Sequence, residues 1–471
     1  MFFGFLSYSF LIPYLSYLSY LSFLDKSYPA LYALFKKGSL PESFLVVGFA
    51  RQDLSPEQFH STLAPFLPSP SSLESPQLHA FLSRCLYLKG GYTDADFQTL
   101  GHQLASLEKQ PIFSRLFYLA LPPSAFAVAA KGLHHHCRPS SSSSLWSRLV
   151  VEKPFGNDLA SARLLLGEMA EWWKEEELFR IDHYLGKSMV QSLFTLRRAN
   201  AASLGALLSP TSLRRVHFSF AETLGAEGRA YFDQAGIVRD VLQNHILQML
   251  ALFAVSPSPP PPSSPESLRD AKVAFLASLQ LDCSLHPSID CALFGQYNGY
   301  QDEAPGFSGS QTASFAALRL RSTLPEWQHV PFFLSAGKSM SEQRVSVVAE
   351  LIDGRNFTIV IQPQASLQLD VGWHSAADPS LQLVPLRAQL PRDELDAYAV
   401  LLSAAIVGDR SSFVRGDELE RSWALLTPLL ALLDNKSIPP FSYPKGSSAA
   451  EIYHLSGQMQ SFFSDSNFSI F

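Results

Sequence analysis

The chain has 471 residues, with 36 basic and 42 acidic side chains and a net charge of −6; 47% of its residues are hydrophobic and 17% charged. The apolar fraction excludes a globally disordered chain, the length suggests about two to four domains, and the slightly acidic balance leaves no electrostatic footprint for nucleic acid. Four cysteines, Cys85, Cys137, Cys283 and Cys291, are too few for a disulfide scaffold and fit no zinc spacing, so a reducing compartment is the expectation.

Residues 1–24 carry no charge and repeat Tyr-Leu-Ser three times between Tyr14 and Ser22. The run is long enough to span a bilayer. It lacks a basic leading region, however, and it is interrupted by Pro13 and diluted by Ser and Tyr. It reads as a low-complexity apolar extension, and no membrane association is expected.

Residues 28–35 read as a helix that Gly38 and Pro41 end. Residues 44–48 form an uninterrupted apolar run ending in Gly48-Phe49-Ala50-Arg51, which suits a strand buried on both faces of a parallel sheet. Residues 117–121, stopped by Pro122, and 149–153, stopped by Pro154, repeat the pattern. Strands alternating with helical stretches indicate an open α/β sheet, whose ligands sit at the carboxyl ends of the strands. Arg51, Pro122 and Lys153 fall at such ends. His134-His135-His136-Cys137 reads as part of a loop, because three adjacent histidines cannot all converge on one ion; no metal site is expected. The serine run at 140–144 and the proline-rich stretch at 256–267 read as exposed loops.

Beyond about residue 180 the pattern changes. Residues 237–254 form an amphipathic helix, with Val238, Val241, Leu242, His245 and Met249 on one face and Asp240, Asn244 and Gln248 as a polar stripe. Closely spaced strand-like runs at 314–321, 345–352 and 356–362 suit an antiparallel sheet. Two places carry candidate chemistry. Residues 179–187 crowd Asp182, His183, Tyr184 and Lys187 together, which reads either as a solvated loop or as a cradle for an anionic substrate that exchanges a proton. His245 reads either as a satisfied core histidine or as a general base in a half-buried cleft.

Five blocks lie in one order along residues 26–455: EKPFG at 152–156, RIDHYLGK at 180–187, YFDQAGIVRDVLQNH at 231–245, VPFFLSAGK at 330–338 and FVRGDEL at 413–419. Together they resemble glucose-6-phosphate dehydrogenase. The resemblance implies oxidation of glucose 6-phosphate at C1 to the δ-lactone with NADP as hydride acceptor, the entry to the oxidative pentose phosphate pathway. It implies His245 as the base and Asp182 as its paired carboxylate. Substrate contacts are implied for His183, Tyr184, Lys187, Glu222, Asp240, Lys338 and Gln362, and Lys153 would lie near both sugar and cofactor. Arg51 just past the second strand suits a 2′-phosphate, favouring NADP over NAD. Tyr87, Pro122 and Lys153 would line the rest of that groove.

The sequence also departs from the family pattern. The glycine-rich pyrophosphate loop should fall near residues 17–23, where Tyr17 to Phe23 contain neither glycine nor aspartate. Two readings of that departure stand: a missing or misread first exon, or a non-catalytic chain that keeps the sugar-phosphate site. Gln343 stands where an arginine is expected, with Arg344 beside it. Ser335, Val348 and Val360 stand at basic positions, so no second, structural NADP is expected. The organisation expected is an apolar extension over 1–24, then an α/β Rossmann-like coenzyme domain over 25–179 with an atypical first strand and loop. A larger α+β domain with a mainly antiparallel sheet follows over 180–471. A homodimer or tetramer in the cytoplasm is implied, with organelle targeting left open.

Overall fold

A computed structural model describes residues 7–14, 25–67, 76–108, 113–139, 145–255, 264–282, 290–373, 382–389, 395–457 and 462. The expected glycine-loop positions, the serine run and most of the proline-rich stretch lie outside the described residues. The chain divides into two compact units: Met1–Lys187 with Glu394–Leu419, and Ser188–Asp393 with Glu420–Phe471.

The first unit is built on six parallel strands: β1 (Ser7–Tyr14), β2 (Phe44–Ala50), β3 (Cys85–Lys89), β4 (Phe113–Leu119), β5 (Ser147–Glu152) and β6 (Leu178–Ile181), in the order β3-β2-β1-β4-β5-β6. This is the doubly wound arrangement, with its order reversing between β1 and β4. The expected strands at 44–48, 117–121 and 149–153 correspond to β2, β4 and β5, whose buried Val46, Val47, Phe117, Leu149 and Val150 explain the unbroken apolar runs. The expected first helix is Ser27–Lys36.

Three expectations change. Ser7–Tyr14 is more than an extension, because it pairs with both β2 and β4 in the middle of the sheet. Ladder hydrogen bonds come from the backbone and do not depend on a family-like sequence; Pro13, one residue from the strand's end, forgoes a single donor. Arg180 belongs to β6, so the first sheet extends past residue 179. His134–His136 are not loop residues but the last turn of the helix Phe126–His136.

The segment 394–419 returns to the first unit through the helix Ala397–Val407, whose buried Ala399, Leu401, Leu402 and Ala405 join Tyr28, Leu31, Phe44, Val150 and Phe179 in one apolar cluster. Phe413 packs edge-on against Phe179, ring centroids 4.9 Å apart, and the Val414 N–H donates to the Arg180 carbonyl at 3.0 Å. The FVRGDEL block is thereby laid beside the RIDHYLGK block.

The second unit carries a ten-stranded sheet of β7 (Leu213–Ala221), β8 (Leu279–Leu281), β9 (Ala292–Tyr297), β10 (Phe315–Ser322), β11 (Phe332–Gly337), β12 (Arg344–Leu351), β13 (Asn356–Gln362), β14 (Ser366–Trp373), β15 (Gln382–Gln389) and β16 (Phe441–Tyr443). Its order is β15-β14-β13-β12-β7-β11-β10-β9-β16, with β8 alongside β10. Most pairs are antiparallel; β7 with β11 and β9 with β16 are parallel. The expected long helix is a helical run of Ala230–Ile237, a π-helical Val238–Ile246 and Leu247–Ala254, broken at Gly236. Its expected apolar face is buried, and of the polar stripe beside it Asp240 and Asn244 are half-buried and Gln248 is buried. The wider π-helical turn buries Gln243 as well, and its amide donates to the Ser422 hydroxyl at 2.9 Å.

Cys85 and Cys137 are free and buried. Burial pushes the Cys137 thiol up to about 12 and Cys85 further still, so neither supplies a thiolate. Cys291 is disulfide-bonded, which departs from the fully reduced reading.

Candidate active site

In the first unit the candidate residues cluster where β6 ends. Asp182 follows β6 directly and is 2% exposed. Its Oδ1 accepts the Tyr184 N–H at 2.9 Å and caps the short helix His183–Gly186. The cap fixes the directions in which His183 and Tyr184 leave the backbone. Gly186 then lets the helix Ala397–Val407 approach: a Cβ at Gly186 would lie 2.3 Å from the Ala397 carbonyl oxygen. That approach brings in a residue the sequence reading missed. The Tyr398 ring stacks on the His183 imidazole, centroids 6.0 Å apart and planes 8° apart, while Tyr184 meets it edge-on at 5.0 Å. Lys26 Nζ lies 5.6 Å from the Tyr398 ring centroid, and Lys187 Nζ lies 4.8 Å from that of Tyr184. Burial, followed by the charges of Glu152 and Asp182, pushes the Tyr398 phenol far up, so it stays neutral. The only local signal for Tyr398 was a lone polar aromatic near the start of an otherwise apolar helix.

The expected cofactor residues lie along the carboxyl edge of the same sheet. Arg51 directly follows β2 and is exposed. Tyr87 lies on β3 opposite Gly48, and its hydroxyl donates to the Gln52 carbonyl at 2.7 Å, tying down the loop after Arg51. Pro122 follows β4, and Lys153 follows β5. Beside Lys153, the Tyr118 hydroxyl donates to the Glu152 carboxylate. Burial raises both groups, and the nearby Lys26 and Lys153 charges hold Glu152 down in part.

In the second unit the parallel pairing of β7 with β11 puts Ala221 opposite Gly337, so the residues that follow, Glu222 and Lys338, emerge together. Lys338 is 3% exposed, and its Nζ lies 2.5 Å from Glu222 Oε2 and 3.8 Å from Asp240 Oδ2. The Phe232 ring lies beneath it, 4.9 Å from Nζ to centroid. A buried ammonium held by two carboxylates is compensated in the free protein, and the carboxylates have lone pairs left for hydroxyl donors. Five residues beyond Asp240, His245 is 2% exposed and its ring stacks on Phe220 at 6.2 Å. The unit also holds a histidine of the bland kind: burial pulls His217 down to about 4, and it bonds the Ser335 hydroxyl at 2.9 Å. Gln362 ends β13 opposite Val345 on β12, and Val345 pairs in turn with Phe220 on β7, two residues before Glu222.

The departures also find places. Gln343 Oε1 accepts the Thr223 N–H at 3.2 Å, and Arg344 opens β12 opposite Ala221. Ser335 and Val360 are buried in the sheet, with Val348 half-buried.

Residues 24–192 match the family model of the glucose-6-phosphate dehydrogenase NAD-binding domain, and residues 194–458 that of its C-terminal domain. The chain is 36% identical over 462 residues to the chloroplastic glucose-6-phosphate 1-dehydrogenase of Solanum tuberosum, covering 90% of this chain and 78% of that protein. It is likewise 36% identical over 458 residues to the Saccharomyces cerevisiae glucose-6-phosphate 1-dehydrogenase, covering 90% and 88%. Among solved structures, a glucose-6-phosphate dehydrogenase in complex with glucose 6-phosphate is similar over 100% of both chains, with a TM-score of 0.87 and 32% identity. Glucose-6-phosphate 1-dehydrogenase from Mycobacterium avium is similar over 96% and 97%, with a TM-score of 0.81 and 29% identity.

Proposed function

The chain belongs to the glucose-6-phosphate dehydrogenase family, and from that premise we propose how its own residues divide the work. The activity is glucose-6-phosphate 1-dehydrogenase: oxidation of glucose 6-phosphate to 6-phosphoglucono-δ-lactone with NADP. The observation that carries it is the full-length likeness to a family member holding its substrate. Nothing in the comparisons favours the non-catalytic alternative.

The first sheet fits a dinucleotide, because its strand order reverses beside β1. Arg51 would hold the 2′-phosphate as a bidentate donor, and Tyr87, Pro122 and Lys153 would line the strand ends. NADP, when bound, accepts the hydride from C1. In this proposal the chain's residues handle the proton and the phosphate. His245 takes the C1 hydroxyl proton on its imidazole, and Asp182 supplies the negative charge that favours the resulting imidazolium. His183, Tyr184 and Lys187 take the phosphate, with one cation and two further donors for a dianion. Glu222, Asp240, Lys338 and Gln362 take the sugar hydroxyls, Lys338 donating and the carboxylates accepting. Lys153 sits near the reacting end. Absorbance of NADPH formed by the purified chain tests the reading. His245→Asn is expected to lower turnover about a thousandfold while glucose 6-phosphate still binds; unchanged turnover would remove His245 from the role.

We further propose a homodimer, or a tetramer of such dimers, assembled on the large sheet. A single 52.1 kDa species in sedimentation would overturn that. No described helix is long and apolar enough to cross a membrane. The relatives include both cytoplasmic and chloroplastic isoforms, and a cytoplasmic placement rests on the sequence reading alone.

A further inference from the structure

The three histidines that end the helix Phe126–His136 do not act together. His134 turns inward between the rings of Trp172 and Trp173, at 5.8 and 6.1 Å, and burial with the Arg138 charge lowers its affinity for a proton. His135 is exposed, with its ring edge-on to Trp172 at 4.6 Å, and His136 is half-buried. His136 Nε2 lies 2.8 Å from Asp94 Oδ1, in the first turn of the helix Asp94–Leu107. One donor atom from each of Asp94, His135 and His136 lies within 4.8 Å of the other two.

The packing beneath this group is rigid. A Cβ at Gly101 would lie 2.1 Å from the His136 carbonyl oxygen, and one at Gly132 would lie 2.1 Å from the Phe97 ring. The two helices therefore touch backbone to backbone, and the ends that carry Asp94 and His136 are held in place. Capping of the first turn is done by Thr93 and Asp96, whose side chains accept each other's backbone N–H groups. The Asp94 carboxylate is thus directed at His136 instead of at its own helix.

We propose that Asp94, His135 and His136 form a surface site for a borderline divalent cation, Zn²⁺ or Ni²⁺, with water completing its shell. Two imidazoles and one carboxylate are the donor set such ions take, whereas Ca²⁺ and Mg²⁺ require mostly oxygen. Bonds of about 2.0–2.1 Å place tetrahedral donors about 3.3 Å apart. From the present spread of up to 4.8 Å, binding would require the exposed Asp94 side chain and the His135 ring to rotate inward, the latter out of its edge-on contact with Trp172. The negative dipole end of the helix Phe126–His136 favours a cation, while the positive end of the helix Asp94–Leu107 offsets it, so the attraction rests on the Asp94 carboxylate and the imidazoles. Lys131, whose charge acts on Asp94 and whose Nζ lies 5.3 Å from the Trp172 ring centroid, opposes it and keeps the affinity moderate. A bound ion would staple the start of one helix to the end of its neighbour, and none of its three ligands is a residue assigned to catalysis.

The test uses the full chain stripped with a chelator. With 13 histidines present, the measurement is a difference from the variant His135→Ala/His136→Ala. Zn²⁺ titration by equilibrium dialysis is expected to show one equivalent more in the parent than in the variant. Saturating Zn²⁺ is expected to raise the parent's Tm by about 5 °C and leave the variant's unmoved. Glucose 6-phosphate oxidation in chelator should be the same in both. Equal stoichiometry in parent and variant overturns the proposal. If the double variant is unstable in chelator, Lys131→Ala decides: removing the opposing charge should tighten Zn²⁺ binding severalfold, and an unchanged affinity would count against the site.

Discussion

Gly186→Ala tests the packing that holds the phosphate-binding turn. The added Cβ would meet the Ala397 carbonyl oxygen at 2.3 Å and its carbon at 2.9 Å, and real Cβ contacts essentially never fall under 3.0 Å. The obstacle is backbone, so no side-chain rotation relieves it. Either the His183–Gly186 turn or the first turn of the helix Ala397–Val407 must move. Overpacking of this kind costs about 3 kcal/mol, the upper end for added methyl groups, because both partners are pinned. At about 2–4 °C per kcal/mol for a unit of this size, Tm should fall by about 10 °C. His183, Tyr184 and Lys187 leave the same turn, so KM for glucose 6-phosphate should rise about tenfold or more, with a smaller effect on kcat. Calorimetry and steady-state NADPH formation read the two effects. Gly167→Ala is the control: it lies inside the helix Leu159–Ala170 with nothing within 4 Å of a new Cβ, and it should be stabilising by about 0.5–1 kcal/mol. A Gly186→Ala protein with unchanged Tm and KM would refute the reasoning.

Tyr398→Ala removes the ring stacked on His183 and should raise KM for glucose 6-phosphate about three- to tenfold, leaving kcat near its parent value. Tyr398→Phe keeps the ring and should keep KM; if Phe is as poor as Ala, the hydroxyl and not the stack is responsible. Glu303 gives a pH prediction. Burial works against its ionisation, but Lys445 at 3.0 Å, the Tyr297 hydroxyl at 2.8 Å and the Glu227 N–H at 2.8 Å outweigh it and hold the carboxyl below 4.5. A carboxyl depressed on folding adds stability above its unfolded value, and that stability is lost as pH falls through the folded value. Glu303→Gln should therefore lower Tm near pH 7, and the gap should shrink as pH falls below 4.5 and through the lower folded value; a gap independent of pH would sink the assignment.

The sequence by itself determined the parts that depend on side-chain chemistry spaced along the chain. Unbroken apolar runs marked β2, β4 and β5, since a parallel strand buried on both faces admits little else. Residues 356–362 were legible as β13 to the residue. The buried face of Val238, Val241, Leu242, His245 and Met249 followed from helical spacing, and the RIDHYLGK and VPFFLSAGK blocks pointed to the family. Tertiary structure decided what depends on contacts between distant segments. Ser7–Tyr14 reads as low-complexity text, yet it fills the centre of a sheet because ladder pairing is a property of the backbone and the gap between β2 and β4 admits a strand. Tyr398 stands far along the chain from His183 and reaches it only because Gly186 lets a returning helix approach. Three adjacent histidines were indistinguishable as text. Packing set His134 against Trp172 and Trp173, laid His135 edge-on to Trp172 and brought donor atoms of His135 and His136 near Asp94, because which side of a helix end faces the core is set by the neighbours it packs against.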